Sequence, residues 1–549
     1  MSDLPPSGAS ARRSSFLVAA GILLSRVAGV LREVAISGYL GVGAAADAFK
    51  AALRIPNLLQ NLLGEGVLSA SFIPVYSRLL DEDRREAGRL AGAVAGLLCA
   101  LTGVLVVVGV VLAEPLTMLL APGFDGDTRD LAVDLLRIMF PGIGFLVLSA
   151  WCLGILNSHR RFFLSYVAPV LWNAAQIALV VAAGLWGASR EGIAIALAWG
   201  VLVGGVLQLL IQLPAVRSLV RGLRLSLDHR SADVRDVISR FTPVVIGRGV
   251  VQLLTYVDLV LASLLAVGAV SALTYAQVLY LLPISLFGMA VAAAELPELS
   301  RMGAQGRVAI RERLVSGMER ITFYVAPTVA LYIAAGDVIV GALLQRGQFE
   351  AQDSRLVWLV LAAFALGLLG TTRSRLLQNG LYALDRPKLV ARISVLRVAL
   401  AAIIGAALMF PLDRFAIVGS SIERSGDLGF SPLPDALRLG ADVPPRLGVV
   451  GLALGAAVSS WVEYRLLRGA LEWRIGKLPG ASLAVKWCVI GAAAVGVLAA
   501  GIRSVTDDLP RLVAVVVVCG PAAVTYLAIT ASMAVPEATS LLARVRHGR

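Results

Sequence analysis

The stretch DAFKAALRIPNLLQNLLGE, residues 47–65, carries polar groups at Asp47, Lys50, Arg54, Asn57, Asn61 and Glu65, with small or apolar residues between most of them. Intervals of three and four residues place all six on one stripe of an α-helix. A charged group at the centre of a bilayer is unfavourable by several kcal/mol unless it meets water or a partner, so the stripe is expected to line an aqueous cavity or a polar seam between helices. Pro56 and the Gly64, Gly66 pair are expected to break or bend this helix, which lipid tolerates only where protein or water covers the freed backbone. The alternative is an amphipathic helix lying in the membrane interface.

The composition of the whole chain places most of it in lipid. Hydrophobic residues make up 58% of the 549 positions, far above an ordinary soluble domain. Windows of about 20 residues predict about fourteen spanning helices, at 16–39, 45–63, 90–112, 131–156, 163–186, 193–213, 237–267, 273–294, 321–344, 356–377, 389–410, 449–467, 483–502 and 512–533. The first of these is too long and, with Arg26, Arg32 and Glu33, too charged for a cleaved signal peptide. The fold class is therefore an all-α polytopic membrane protein.

Arginine falls in alternate connections: Arg78 to Arg89, Arg160 and Arg161, Arg217 to Arg240, Arg301 to Arg320, Arg373 to Lys388, Arg465 to Lys477, and the tail with Arg544, Arg546 and Arg549. Positive charge is retained in the cytoplasm, so these are expected to be cytoplasmic connections, with both termini on that side. The same alternation accounts for the net charge of +13 without a nucleic-acid partner. The Pro-, Gly- and Ser-rich stretch 413–446 reads as an exposed extracytoplasmic loop of disordered composition. Cys99, Cys152, Cys488 and Cys519 lie far apart in apolar stretches, and His159, His229 and His547 lie in or beside basic connections or the tail. Neither a disulfide framework, a metal site nor an imidazole relay within a span is indicated.

Three arginines, Arg26 and Arg32 of the first predicted span and Arg54 of the second, are placed to converge. A guanidinium keeps its charge at any relevant pH and offers a planar fork to phosphate oxygens, so a lipid headgroup bearing a diphosphate is a fitting cargo. Against this stands neutralisation of the arginines by Glu33, Asp47 and Glu65 in structural ion pairs. Arg248, Gln252, Thr255 and Asp258 form a second stripe in the seventh predicted span, as expected of two repeats that share a binding cleft. Arg397, in the eleventh, needs a partner, and Asp258 is the expected one.

The run Ser25-Arg26-Val27-Ala28-Gly29 with Arg32-Glu33, then Asp47-Ala48-Phe49, Arg54-Ile55-Pro56-Asn57, Glu65-Gly66 and Ser71-Phe72-Ile73-Pro74, closely resembles the lipid II flippase family, MurJ or MviN. The resemblance continues through Ile155-Leu156-Asn157-Ser158, Ala168-Pro169-Val170, Leu296-Pro297-Glu298-Leu299-Ser300, Gln345-Arg346-Gly347-Gln348-Phe349 and Asp385-Arg386-Pro387. It covers nearly the whole chain through the eleventh span.

That resemblance implies a transporter, not an enzyme, of the multidrug/oligosaccharidyl-lipid/polysaccharide exporter fold: two six-helix lobes around a cationic cavity, plus two C-terminal helices flanking a lipid-tail groove. On this sequence the expected organisation is a cytoplasmic tail 1–15, a lobe 16–215, a linker 216–236, a lobe 237–470 containing the loop 413–446, a helix pair 481–535 and a cytoplasmic tail 536–549. Arg26, Arg32, Arg54 and Asn57 would bind the head group of lipid II or a related undecaprenyl-diphosphate glycan. Glu33, Asp47, Glu65, Gln252, Asp258 and Arg397 would gate or support the site. No cofactor or metal is implied; membrane lipids and the cell-wall synthesis machinery are the expected partners. This chain departs from the family at Gln60, where many members have a basic residue, and in Tyr275-Ala276-Gln277-Val278, where they have an arginine. Arg248 is expected to supply the lost cation. A fixed Arg397–Asp258 pair would replace the sodium ion that some members bind, leaving membrane potential as the drive. The rival readings are an exporter of another polyprenyl-linked glycan or of a cationic drug, a membrane-embedded enzyme acting on such a lipid, and a non-transporting scaffold. A drug exporter would want acids rather than arginines, and an enzyme an acidic metal cluster or an activated nucleophile.

Overall fold

The computed structural model describes residues 8–254, 256–288, 307–419, 421–427, 429–440, 443–506 and 509–546, with the side chains of 8–20 and a few other helical residues left aside. A helix stands at each of the fourteen predicted segments. Among the described residues, eleven helical stretches are long and apolar enough to cross a membrane. Helices at 8–40, 232–254 and 448–475 are outside that set, the last two interrupted by charges such as Arg240 and Glu463. The molecule is an all-helical polytopic membrane protein with, among the described residues, one small hairpin.

The chain forms two compact units. Unit 1, residues 1–260 with 346–348, contains α1 (Gly8–Leu40), α2 (Ala44–Leu63), α3 (Glu65–Glu82), α4 (Arg84–Val111), α5 (Ala113–Leu120), α6 (Gly126–Ser158), α7 (Phe162–Leu185), α8 (Arg190–Leu219), α9 (Ala232–Leu254) and the start of α10 (Val257–Ser263). Pro56 stays within α2, where a missing N–H removes one hydrogen bond without ending the helix; the break comes at Gly64, after which α3 starts at once. The polarity of 65–82 hides α3 from a hydropathy reading. The seventh predicted segment is two helices, α9 and α10. In this unit α6 packs against α2, α4 and α8, and α7 against α1 and α8. Val104, Val107 and Val111 of α4 stay largely exposed, as lipid-facing side chains do.

Unit 2, residues 261–345 with 349–549, contains α11 (Ala269–Pro283) continued by a π turn to Gly288, α12 (Arg307–Leu344), α13 (Ala351–Ala383) and α14 (Pro387–Asp413). Then follow β1 (Phe415–Val418), β2 (Ser421–Arg424), α15 (Asp435–Arg438), α16 (Gly448–Ile475), α17 (Leu483–Arg503), α18 (Arg511–Ser532) and α19 (Pro536–Arg546). Leu314 and Ile321 of α12, Leu376 and Leu377 of α13, and Leu467 and Leu471 of α16 share one buried core. Lipid tails are as apolar as leucine, so within the membrane this core is held by close packing rather than by exclusion of water. The α17–α18 pair docks on α12 through Cys488, Val495 and Tyr526, whose hydroxyl donates to the Phe323 carbonyl at 2.8 Å.

The stretch 413–446 is not the unstructured loop that its composition predicts. Phe415–Val418 and Ser421–Arg424 form an antiparallel hairpin, and Ile417 N–H bonds to the Pro445 carbonyl at 2.8 Å. Arg446, 5% exposed, donates to the carbonyls of Asp413 and Leu437, each at 3.1 Å. Arg438 pairs with Asp435 at 3.0 Å. The arginines gather backbone carbonyls that would otherwise lack partners, which composition alone does not register.

The connection between α8 and α9 is tied down along the membrane helix α4. Gly88, Gly92 and Gly96 are one turn apart, and a Cβ on them would come within 2.0 Å of Arg221 O, 2.0 Å of Arg224 O and 2.1 Å of Ser226 O. The extended chain 221–226 lies in this Cβ-free groove, with Ser226 N–H bonded to the Gly92 carbonyl at 3.3 Å. Asp228 then accepts from the amides of Arg230 and Ser231, and those hydrogen bonds hold its carboxyl below the usual range. The contact predicts that Gly92→Leu destabilises the protein by about 1–3 kcal/mol and frees the backbone at the exposed Arg221 and Arg224 for cleavage by trypsin. Gly103→Leu, on the same helix with nothing within 4 Å, leaves both the melting temperature and the cleavage pattern unchanged.

Candidate functional site

In unit 1 the polar stripe of α2 meets the charged turn of α1. Glu33 is the junction: its Oε1 accepts from Arg32 Nη2 at 2.8 Å and its Oε2 from Lys50 Nζ at 2.5 Å. The Glu33 side chain is 8% exposed and that of Lys50 2%, so this carboxylate and this ammonium have little access to solvent. Two cations share one acid, so the triad keeps one net positive charge. The Arg32 guanidinium also lies 4.9 Å from the centre of the Trp172 ring of α7, and its buried Nε–H has no hydrogen-bond partner. Stacking on indole holds such a group in place while leaving in-plane donors for a ligand.

The other predicted residues fall around this triad in different states. Arg54 is half-buried; its carbonyl accepts from Tyr256 Oη at 3.0 Å, and Asp258 is near enough to act on its charge. Asp47 is buried. Asn57 is half-buried and Glu65 exposed, without a hydrogen bond among the described residues. Arg26 is exposed on α1 and makes neither a hydrogen bond nor an ion pair among the described residues. Gln252 is half-buried on α9; the Arg248 side chain lies outside the described residues, as do Thr255 and the Leu296–Ser300 motif.

Lys50 was part of the predicted stripe but not of the predicted site, because its partner is on another helix. Trp172 was missed for the same reason. The amides of α7 and α8 add polarity to unit 1: Gln208 and Gln212 donate to Ser149 Oγ at 2.9 and 2.7 Å, while the side-chain oxygens of Asn173 and Gln176 are buried without partners.

In unit 2 the expected Arg397–Asp258 pair is replaced by another. Arg397 Nη1 lies 3.3 Å from Glu463 Oε2, and Glu463, 1% exposed on α16, also accepts from Gln378 Nε2 at 3.0 Å. The acid has the greater need of a partner, because α14 packs along α16 and leaves Glu463 within the helix interface. The argument for sodium independence from an Arg397–Asp258 pair loses its support. Among the described residues no three His, Cys, Asp or Glu side chains converge as a metal site would require.

The triad makes a sharp prediction about stability. Glu33→Gln removes the carboxylate charge that Arg32 and Lys50 share and is expected to destabilise the protein by about 3–5 kcal/mol, read from unfolding in detergent. Adding Lys50→Met should recover most of that loss, whereas Lys50→Met together with an intact Glu33 should not match the double variant.

Residues 36–423 match the family model described as lipid II flippase MurJ. The chain is 35% identical over 386 residues to the probable lipid II flippase MurJ of Bdellovibrio bacteriovorus, covering 68% of this chain and 72% of that one. It is 33% identical over 392 residues to the lipid II flippase MurJ of Burkholderia cenocepacia, covering 70% and 75%. Among solved structures, a lipid II flippase MurJ in an inward closed conformation superposes with a TM-score of 0.70 at 21% identity, over 94% of this chain and 98% of that one. An inward-facing multidrug resistance MATE family transporter of the MOP superfamily superposes at 0.60 and 16% identity, over 82% and 94%, and so shares the fold. With its long matched region and its polar α1–α2 pair, the chain belongs to the lipid II flippase family MurJ, a family of transporters.

Proposed function

We propose that the chain moves lipid II, the lipid-linked precursor of peptidoglycan, from the inner to the outer leaflet of the bacterial cytoplasmic membrane by alternating access. The observation that carries this reading is the excess of cation on α1 and α2. On α1 and α2 the cations Arg26, Arg32, Lys50 and Arg54 outnumber the acids Glu33 and Asp47, and Arg26 stands exposed without a partner among the described residues. An anionic diphosphate fits that excess, whereas a cationic drug would be repelled.

Arg26, Arg32, Arg54 and Asn57 receive the diphosphate and sugar, and Arg248 supplies a further cation. Glu33, Asp47, Glu65, Gln252, Asp258 and Arg397 support or gate the path. Residues 16–215 and 237–470 act as the two lobes, 481–535 guides the lipid tail, and both termini face the cytoplasm. Membrane potential drives the return step, since one charge crossing 100 mV is worth about 2.3 kcal/mol. The cell-wall synthesis machinery receives the product. A different polyprenyl-diphosphate glycan is the second reading, favoured by the same cations because they recognise phosphate rather than sugar or peptide.

Depletion of a host's own lipid II flippase tests the proposal. Expression of this chain should restore survival and externally accessible lipid II. Arg26→Ala, which breaks no hydrogen bond or ion pair among the described residues, should insert normally and yet lower accessible lipid II about tenfold or more, the effect of one lost charged hydrogen bond. Arg248→Ala should fall in the same direction. Failure of a well-inserted parent chain would point to the other glycan; full activity of both variants would remove the arginine site.

A further inference from the structure

Unit 2 contains a polar cavity that the transport reading does not use. It has a volume of about 480 Å³ and is lined by Asp337 of α12, Gln345 just past its end, Ser354 and Arg355 of α13, Arg503 of α17 and Arg511 of α18. Three guanidinium groups face one carboxylate. Arg503 is fixed in place: its Nε donates to Asp337 Oδ2 at 2.8 Å, and its guanidinium lies 4.3 Å from the centre of the Trp358 ring. Trp358 is itself anchored by its indole N–H, which donates to the Tyr332 carbonyl at 3.0 Å.

The other two arginines have donors to spare. Arg355 spends one Nη1 on the Gly419 carbonyl at 3.1 Å. Arg511 is exposed and has no hydrogen bond or ion pair among the described residues. Gln345 Oε1 accepts from Ser354 Oγ at 3.2 Å, and both residues line the cavity. Donors and positive charge dominate the lining, with one anchored arginine for orientation and two adjustable ones for capture. Paired guanidinium donors on a rigid frame are suited to phosphate oxygens.

The source of the phosphate follows from what adjoins the cavity. It lies where α12 ends and α13 begins, and where α17 ends and α18 begins, so it caps the end of the α17–α18 pair. On those two helices Val497 is 76% exposed and Val516 69%. A cationic cavity at the end of a lipid-facing apolar surface matches the layout of a phospholipid, head group above and chains below. We infer that unit 2 carries a phosphate-binding site for the head group of an anionic lipid, held by Arg355, Arg503 and Arg511. In the topology proposed above this site faces the outer leaflet; the binding chemistry is independent of that assignment. Asp507 and Asp508, of the α17–α18 connection, lie outside the described residues; acids that claimed these arginines would leave the cavity unresponsive to phosphate.

Trp358 reports on the site directly. The full chain is placed in nanodiscs of phosphatidylcholine, and the Trp358 emission is taken as the difference between the parent and Trp358→Phe. One arm replaces phosphatidylcholine stepwise with phosphatidylglycerol; the other adds inorganic pyrophosphate. The expected result is a saturable change on phosphatidylglycerol, shifted about tenfold or more to higher concentration in both Arg355→Ala and Arg511→Ala. A parallel response to pyrophosphate supports phosphate as the recognised group. A response to pyrophosphate alone overturns the lipid assignment, and no response in either arm, or one unchanged in both variants, overturns the site. Arg511→Ala removes an exposed side chain, so its reading stands even if Arg355→Ala weakens folding. Transport by the parent chain is scored separately, so loss of this site would leave the flippase reading intact.

Discussion

A carboxylate buried between two helices organises the functional part of unit 1. Glu33 sits against Arg32 and Lys50 with little access to water, where an unpaired ion would be unfavourable by several kcal/mol. The acid therefore holds α1 and α2 in a fixed relation, and because it meets two cations it leaves charge over. Under the proposed function, stability and recognition rest on the same carboxylate. A site with matched charges would be equally well folded but would not attract an anion, and a site of arginines alone would be difficult to bury. Arg26, exposed and outside the triad, belongs to the surplus rather than to the frame.

Much of this was legible in the sequence because it is local. Spacings of three and four residues put Asp47, Lys50, Arg54 and Asn57 on one face, and the helix α2 carries them as expected. The membrane helices followed from apolar runs, and the family from short motifs around Arg26, Arg54 and Pro56. What stayed hidden depends on which helices are neighbours. Glu33 and Lys50 are seventeen residues apart. Trp172 comes to Arg32 from α7, and Arg397 takes Glu463 rather than Asp258 because α14 runs along α16. Periodicity orders residues on one helix and says nothing of the helix beside it.

Composition misled in the two places where polar sequence adopts regular structure. Residues 65–82 have too little apolar character for a hydropathy window, yet α3 follows α2 with only Gly64 between them. Residues 413–446 have the Pro, Gly and Ser content of a disordered segment, but Arg446 ties the Asp413 and Leu437 carbonyls together and Arg438 donates to the Leu264 carbonyl. The connection along α4 is a third case of order without an apolar signal: glycines at 88, 92 and 96 make room for backbone rather than side chains.

Transbilayer movement of labelled lipid II in proteoliposomes tests the central claim most directly, because it separates the surplus charge from the folding frame. The account predicts that the parent chain moves the label, that Arg26→Ala inserts and melts like the parent, and that its rate falls about tenfold or more. An Arg26→Ala protein that moves lipid II at the parent's rate would contradict it.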